Sequence, residues 1–126
     1  MSKATTKKIL IVEDDLNFQD ILRTCLGVDL AFSTILAKDG EEGTDLVIKE
    51  KPDLILSDIL MPKMDGVDMA KKIRESGVMT PIIFLTNVSD ASGVDRAFSI
   101  SNSRYIVKSS IHIEEIIKII KDTLTA

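Results

Sequence analysis

Acidic, hydroxyl and amine side chains stand in this sequence where short apolar runs end. Ile9-Leu10-Ile11-Val12 gives way to Glu13-Asp14-Asp15, and Leu54-Ile55-Leu56 leads through Ser57 to Asp58. Ile82-Ile83-Phe84-Leu85 ends in Thr86-Asn87, and Tyr105-Ile106-Val107 ends in Lys108. Each alone has an ordinary reading: acids after a strand are often helix caps, a threonine a turn residue, a lysine a solvated charge. At the same end of consecutive strands they would instead gather acids, one hydroxyl and one amine on a single edge. Two carboxylates ~4 Å apart repel by about 4 kcal/mol at an effective dielectric near 20, so three need a cation to stay ionised together. Lys108 supplies one positive charge, and an all-oxygen donor set with few carboxylates suits Mg2+. The one cysteine and one histidine lie far apart and offer nothing to a softer metal. An aspartate beside Mg2+ and a lysine is equipped to attack phosphorus, giving an aspartyl phosphate.

The elements that must position these groups follow from periodicity. Three of the apolar runs are continuous rather than alternating, as strands buried on both faces should be, and the Phe32 to Ala37 region adds a further strand. Between them lie amphipathic stretches. Phe18, Ile21, Leu22 and Cys25 fall on one helical face, with Asp15 capping or flanking the start. Asp39 followed by Glu42 has the form of a capping box for a helix running through Leu46, Val47 and Glu50, within which Gly43 costs about 1 kcal/mol against alanine. Val67, Ala70 and Ile73 follow Gly66. A weaker stripe of Ala91, Val94, Ala97 and Phe98 is interrupted by Gly93 and serines, and Ile113, Ile116, Ile117, Ile120 and Leu124 make a well-formed last face. This is a strand-helix unit repeated five times, which predicts an α/β fold with a parallel sheet and helices on both faces. Ligands in such sheets bind beyond the carboxyl ends of the strands, where the acids stand.

Composition narrows the classes. With 126 residues, 44% hydrophobic and 29% charged, the chain suits one globular domain. Residues 1–7 read as a flexible leader and 8–126 as the domain. Twenty acids against 16 bases give a net charge of -4, which argues against a direct nucleic-acid surface. A single cysteine excludes an internal disulfide and fits a reducing compartment, with Cys25 read as a buried structural thiol. No apolar run approaches the ~20 residues of a membrane span and no signal-peptide core follows the start, so a cytoplasmic location is expected.

At this point the segments resemble those of a known family. Asp58-Ile59-Leu60-Met61-Pro62-Lys63-Met64-Asp65-Gly66 resembles the phosphoacceptor motif of response-regulator receiver domains. Glu13-Asp14 looks like the family's acidic pair, Phe84-Leu85-Thr86 its switch hydroxyl, and Tyr105-Ile106-Val107-Lys108 its switch aromatic and lysine. The resemblance runs from about Lys8 to Leu124. It implies a doubly wound, flavodoxin-like sheet of strand order 2-1-3-4-5. It also implies that Asp58 accepts a phosphoryl group from a histidine kinase or histidine phosphotransfer protein in two-component signalling. Asp14, Asp58 and the backbone carbonyl of Leu60 would hold Mg2+, with Glu13 contributing through water. Lys108 would pair with a phosphoryl oxygen, Thr86 would turn towards the phosphate and Tyr105 would pack inward. The surface of the fourth helix, fifth strand and fifth helix would then change to control a downstream protein target or effector domain. The implied chain is a switch rather than an enzyme, at most catalysing its own phosphorylation and slow dephosphorylation.

Several positions depart from the family's pattern. Glu13 replaces the commoner aspartate. Asn87 stands where a small residue is usual and would narrow access to Asp58. Ser109 replaces a proline, so the Lys108–Ser109 peptide is expected trans, or cis at about 2.5–4 kcal/mol. The residues that tune dephosphorylation, Leu60 and Val88, are both apolar and cannot orient an attacking water, which predicts a long-lived phosphoryl group. Ile119 lies off the core-facing stripe of the last helix and Ile111 before it; ordinary partial exposure is the plain reading, a partner or homodimer surface the alternative. His112 reads as a surface or capping residue. A haloacid-dehalogenase-type phosphatase would carry an acid at position 60, and a flavodoxin-like FMN carrier would not place three acids in its phosphate loop. A pseudo-receiver is the remaining alternative. The lack of linker composition after the last helix favours a single-domain regulator over a receiver cut from a longer protein.

Overall fold

A computed structural model of the chain describes residues 7–29, 32–86, 91–108 and 112–125. Five strands, β1 (Lys8–Val12), β2 (Ser33–Ala37), β3 (Leu54–Asp58), β4 (Ile82–Thr86) and β5 (Ser103–Val107), form one parallel sheet in the order β2-β1-β3-β4-β5. The connecting helices are α1 (Leu16–Thr24), α2 (Gly40–Glu50), α3 (Gly66–Glu75), α4 (Ala91–Ala97) and α5 (Ile113–Thr125). The expected α/β architecture and strand order are both present.

The continuous apolar strands are explained by two separate cores. Side chains alternate across a strand. Leu10 and Val12, Ile55, and Ile82 and Phe84 therefore join one cluster with Val47 of α2, Val67, Ala70 and Ile73 of α3 and Ala97 of α4. Ile9 and Ile11, Leu54 and Leu56, and Ile83 and Leu85 join the other with Leu22 of α1 and Ile116 and Ile120 of α5. Both faces of the three central strands are covered, and polar side chains enter β3 and β4 only at their carboxyl ends, at Ser57, Asp58 and Thr86.

The helix starts read from sequence are made. The Asp15 carboxylate accepts from the backbone N–H groups of Asn17 and Phe18, and Asp39 accepts from Glu42 N at 2.9 Å. Glu42 reaches back to accept from Lys38 N, one residue before the cap. His112 closes the start of α5, its N–H donating to Glu115 Oε1 and its carbonyl accepting from Glu115 and Ile116. Gly43 is buried against α3: a Cβ there would crowd Met69 Sδ and Val12. Its lost helix propensity is offset by close helix contact.

Four sequence readings are corrected. Ile21 is exposed, because α1 faces the sheet through Phe18, Leu22 and Leu26 at successive i+4 positions and its neighbour cannot share that face. Cys25 is only half-buried; it opens a π-helical turn, Cys25–Asp29, that Leu26 anchors. Phe98 lies past the end of α4 and is 66% exposed. Ile119 is half-buried against the α1/α5 core rather than well off it, which agrees with ordinary partial exposure. Ile111 lies outside the described residues.

Candidate functional site

Register explains how residues distant in sequence meet. Val12 is level with Ser57 across β1 and β3, so Glu13 and Asp58 each stand one step further on. Asp58 pairs with Leu85, and Thr86 with Val107, which sets Thr86 and Lys108 at the same edge. Parity then divides them. Glu13 continues the row Ile9, Ile11; Asp58 continues Leu54, Leu56; Lys108 follows Ile106. All three project on the α1/α5 side. Thr86 continues Ile82 and Phe84, and Tyr105 alternates with Ile106, so both belong to the side of α3 and α4.

On the first side the groups touch. Lys108 Nζ donates to Glu13 Oε1 at 2.9 Å and to Asp58 Oδ2 at 3.2 Å. Asp58 Oδ1 accepts from Ile59 N at 2.8 Å, and Glu13 Oε2 from Asp15 N at 3.2 Å. Glu13 is 1% exposed and Asp58 7%, whereas Asp14 faces solvent. One carboxylate oxygen from each of Glu13, Asp14 and Asp58 lies within 4.8 Å of the others. Leu60, Phe18 and Asp15 complete the lining of this open pocket.

Electrostatics follow from this crowding. Burial pushes the Glu13 carboxyl up, the Lys108 hydrogen bond opposes it and the Asp58 charge adds to it, leaving Glu13 at about 7. Burial works against the Lys108 ammonium, but its bonds and attraction to Glu13 and Asp58 prevail and its pKa is raised. One ammonium divided between two acids is itself held charged but does not offset the burial of Glu13. Three oxygen donors, two of them buried and short of positive charge, form a set that a hard divalent cation fits.

The loop after Asp58 is fixed at both ends. Gly66 N donates to Ile59 O at 2.8 Å and Gly40 N to Met64 O at 2.9 Å. A Cβ on Gly66 would overlap the Asp58 carbonyl oxygen, so α3 can start against the site only from glycine. Asp65 caps α3 by accepting from Asp68 N, and its carboxylate also receives Arg96 of α4 at 2.8 Å. On the far side of the sheet Thr86 is buried. Tyr105 is 37% exposed and meets Phe98 edge-to-face at 4.9 Å between centroids.

Of the residues singled out from sequence, Glu13, Asp14, Asp58 and Lys108 are brought together, Leu60 borders them, and Thr86 and Tyr105 sit at the same edge behind the sheet. Asn87, Val88 and the Lys108–Ser109 peptide lie outside the described residues. Sequence reasoning missed three participants. Phe18 reads as core spacing, yet its ring lies 4.7 Å from Lys108 Nζ. Gln19 is buried and donates to the carbonyls of Glu13 and Ala37, tying the acidic corner to β2; its position beside Phe18 on the helix gave a faint signal. Arg96 is the third, and the acids Asp65 and Asp68 at i,i+3 hinted that a cation would bridge them.

An open α/β sheet with its polar side chains collected at the carboxyl ends of the strands places this protein among those whose chemistry is carried by strand-end loops. The response regulator receiver domain family matches over residues 9–121, and the chain belongs to that family of two-component signalling domains. It is 35% identical over 101 residues to the transcriptional regulatory protein DltR of Streptococcus agalactiae, covering 80% of this chain and 45% of that protein. It is 40% identical over 80 residues to the alkaline phosphatase synthesis transcriptional regulatory protein PhoP of Bacillus subtilis, covering 64% and 33%. The chain thus spans less than half the length of these relatives. A two-component response regulator from Clostridium difficile superposes with a TM-score of 0.85 at 27% identity, covering 95% of this chain and 97% of that one. The receiver domain of a signal transduction histidine kinase from Syntrophus aciditrophicus gives 0.84 at 29%, covering 95% and 91%. Among the described residues no helix is long and apolar enough to cross a membrane.

Proposed function

We propose that residues 8–126 form one receiver unit, behind a leader of residues 1–7, in which Asp58 is the phosphoacceptor. The observation that carries this reading is the Lys108 ammonium held 3.2 Å from Asp58 Oδ2 beside three clustered carboxylates. Glu13, Asp14, Asp58 and the carbonyl of Leu60 would hold Mg2+, which when bound supplies charge neutralisation for phosphoryl oxygens. A carboxylate oxygen of Asp58 forms the new bond to phosphorus while the phosphorus–nitrogen bond of a phosphohistidine breaks, its electron pair staying on the imidazole. Lys108 neutralises charge on the transferred group, and the Ile59 N–H orients the acceptor carboxylate.

Thr86 then turns to hydrogen-bond the phosphoryl group and Tyr105 follows inward, reshaping the face of α4, β5 and α5. This is a local charge change that biases a two-state element. The donor is a histidine kinase or histidine phosphotransfer protein, and the output is a protein target or an effector domain. The names of the two regulators above point to transcription as one such output. Leu60 offers no polar group to an attacking water, and a phosphoryl half-life of minutes or longer is expected; hydrolysis within seconds at neutral pH with Mg2+ would contradict it.

The direct test is intact mass after incubation with acetyl phosphate, with and without Mg2+, for the native chain and Asp58→Asn. One phosphoryl adduct that requires Mg2+ and is absent from the variant is the expected result. No adduct on the native chain would point to a pseudo-receiver or to a site that only its own kinase opens.

A further inference from the structure

We propose that Phe18 is a positioning residue for phosphoryl transfer, its ring holding the Lys108 ammonium against the acceptor; this rests on the reading of Asp58 as phosphoacceptor. Lys108 reaches the site on a flexible four-carbon stem with many rotamers open to it. Two of its contacts are Glu13 at 2.9 Å and Asp58 at 3.2 Å. The third is the face of Phe18, 4.7 Å from Nζ to the ring centroid, a cation–π distance.

The alternative positions open to this lysine make the ring consequential. Asp14 and Asp15 line the same pocket, both are exposed, and either could draw an ammonium outwards. A lysine so drawn would leave Asp58 without its charge partner. Phe18 stands on the α1 flank of the pocket and attracts the ammonium from a half-buried position. An aliphatic wall would exclude water equally well and attract nothing.

Phe18 is itself well anchored. Its N–H donates to Asp15 Oδ1 in the α1 cap, and its ring packs partly against the α1/α5 core. The next residue, Gln19, is tied to the carbonyls of Glu13 and Ala37. The ring is therefore fixed to the same corner that carries the acidic pair, and the aromatic wall and the acids move as one body.

The test compares Phe18→Leu, which keeps a wall without a π face, with Phe18→Tyr, which keeps the face. In metal-free protein, NMR of the Lys108 side chain should show ring-current shifts of its terminal methylene that survive Phe18→Tyr and vanish in Phe18→Leu. With acetyl phosphate and Mg2+, Phe18→Leu should phosphorylate about three- to tenfold more slowly. Phe18→Tyr should stay within about twofold of the native rate, and in a Lys108→Ala background Phe18→Leu should have no further effect. Equal slowing in Leu and Tyr variants, or slowing that persists without Lys108, would reduce Phe18 to packing and overturn the proposal. So would the absence of ring-current shifts in the native protein. If the native chain takes no phosphoryl group at all, the acceptor reading fails, while the NMR comparison still decides whether Phe18 holds Lys108.

Discussion

An ammonium divided between two carboxylates leaves a signature in pH. Glu13 is carried from 4.5 up to about 7, first by burial and then by the Asp58 charge, against the pull of Lys108. Its folded-state value lies above its unfolded one, so the fold holds this proton more tightly than the open chain does. The associated stability is complete below 4.5 and is lost as pH rises towards about 7. For metal-free protein, urea midpoints should therefore fall over that range, by the equivalent of about 2–3 kcal/mol at most. Glu13→Gln should flatten the slope; an unchanged slope would show that Glu13 ionises freely in the fold. The acids and lysine were legible in the sequence because each ends an apolar run, and an abrupt change from apolar to charged marks the point where a buried strand leaves the core. Phe18 was not, because an aromatic residue at core spacing looks the same whether it faces leucines or an ammonium.

At the scale of elements, α3 is bound to its surroundings at two places. Its first residue must be glycine: Gly66→Ala would drive a methyl group into the Asp58 carbonyl and the Ser57 hydroxyl, and should cost about 2–4 kcal/mol in chemical denaturation. Its cap, Asp65, is joined to α4 by Arg96, which also reaches Asp68 at 2.7 Å. Burial alone would raise the Asp65 carboxyl, but the guanidinium more than offsets it and the value lies below 3.8. A depressed value means stability that is present above 3.8 and lost as pH falls through the folded value. Arg96 is over a third exposed, so Arg96→Gln should cost only about 0.5–1 kcal/mol at neutral pH, and less in acid. A double-mutant cycle with Asp65→Asn measures the coupling. Caps were the most legible local feature, since Asp15 and Asp39 announce themselves by spacing. The short α4 was the least: Gly93 and the serines weaken its stripe, and Phe98 falls past its last turn. The π-helical turn after α1 carries no composition signal.

Across the whole molecule, the sheet separates Glu13, Asp58 and Lys108 on the α1/α5 side from Thr86 and Tyr105 on the other, while register keeps both groups at one edge. The chain has one tyrosine and no tryptophan, so its tyrosine emission reports on Tyr105 alone. Phosphorylation should change that emission in the native chain and leave Asp58→Asn unaffected. Thr86→Ala should take up the phosphoryl group with little change in emission; a full change there would place the coupling elsewhere. Burial of the sheet on both faces was legible because such parallel strands must be largely apolar, whereas the strand order came only with the family resemblance. The division of roles between faces was not read from sequence, because parity has meaning only once each strand's neighbours are known.

Tyr105 and Lys108 sit three positions apart on one strand and its exit, an odd separation that sends them to opposite faces. Chain length between them therefore decides which face each side chain takes. Insertion of a single residue after Tyr105 would leave every chemical group intact and turn the amine away from Asp58. The composition of this segment is open to change, but its count of residues is held by the geometry of the pleat.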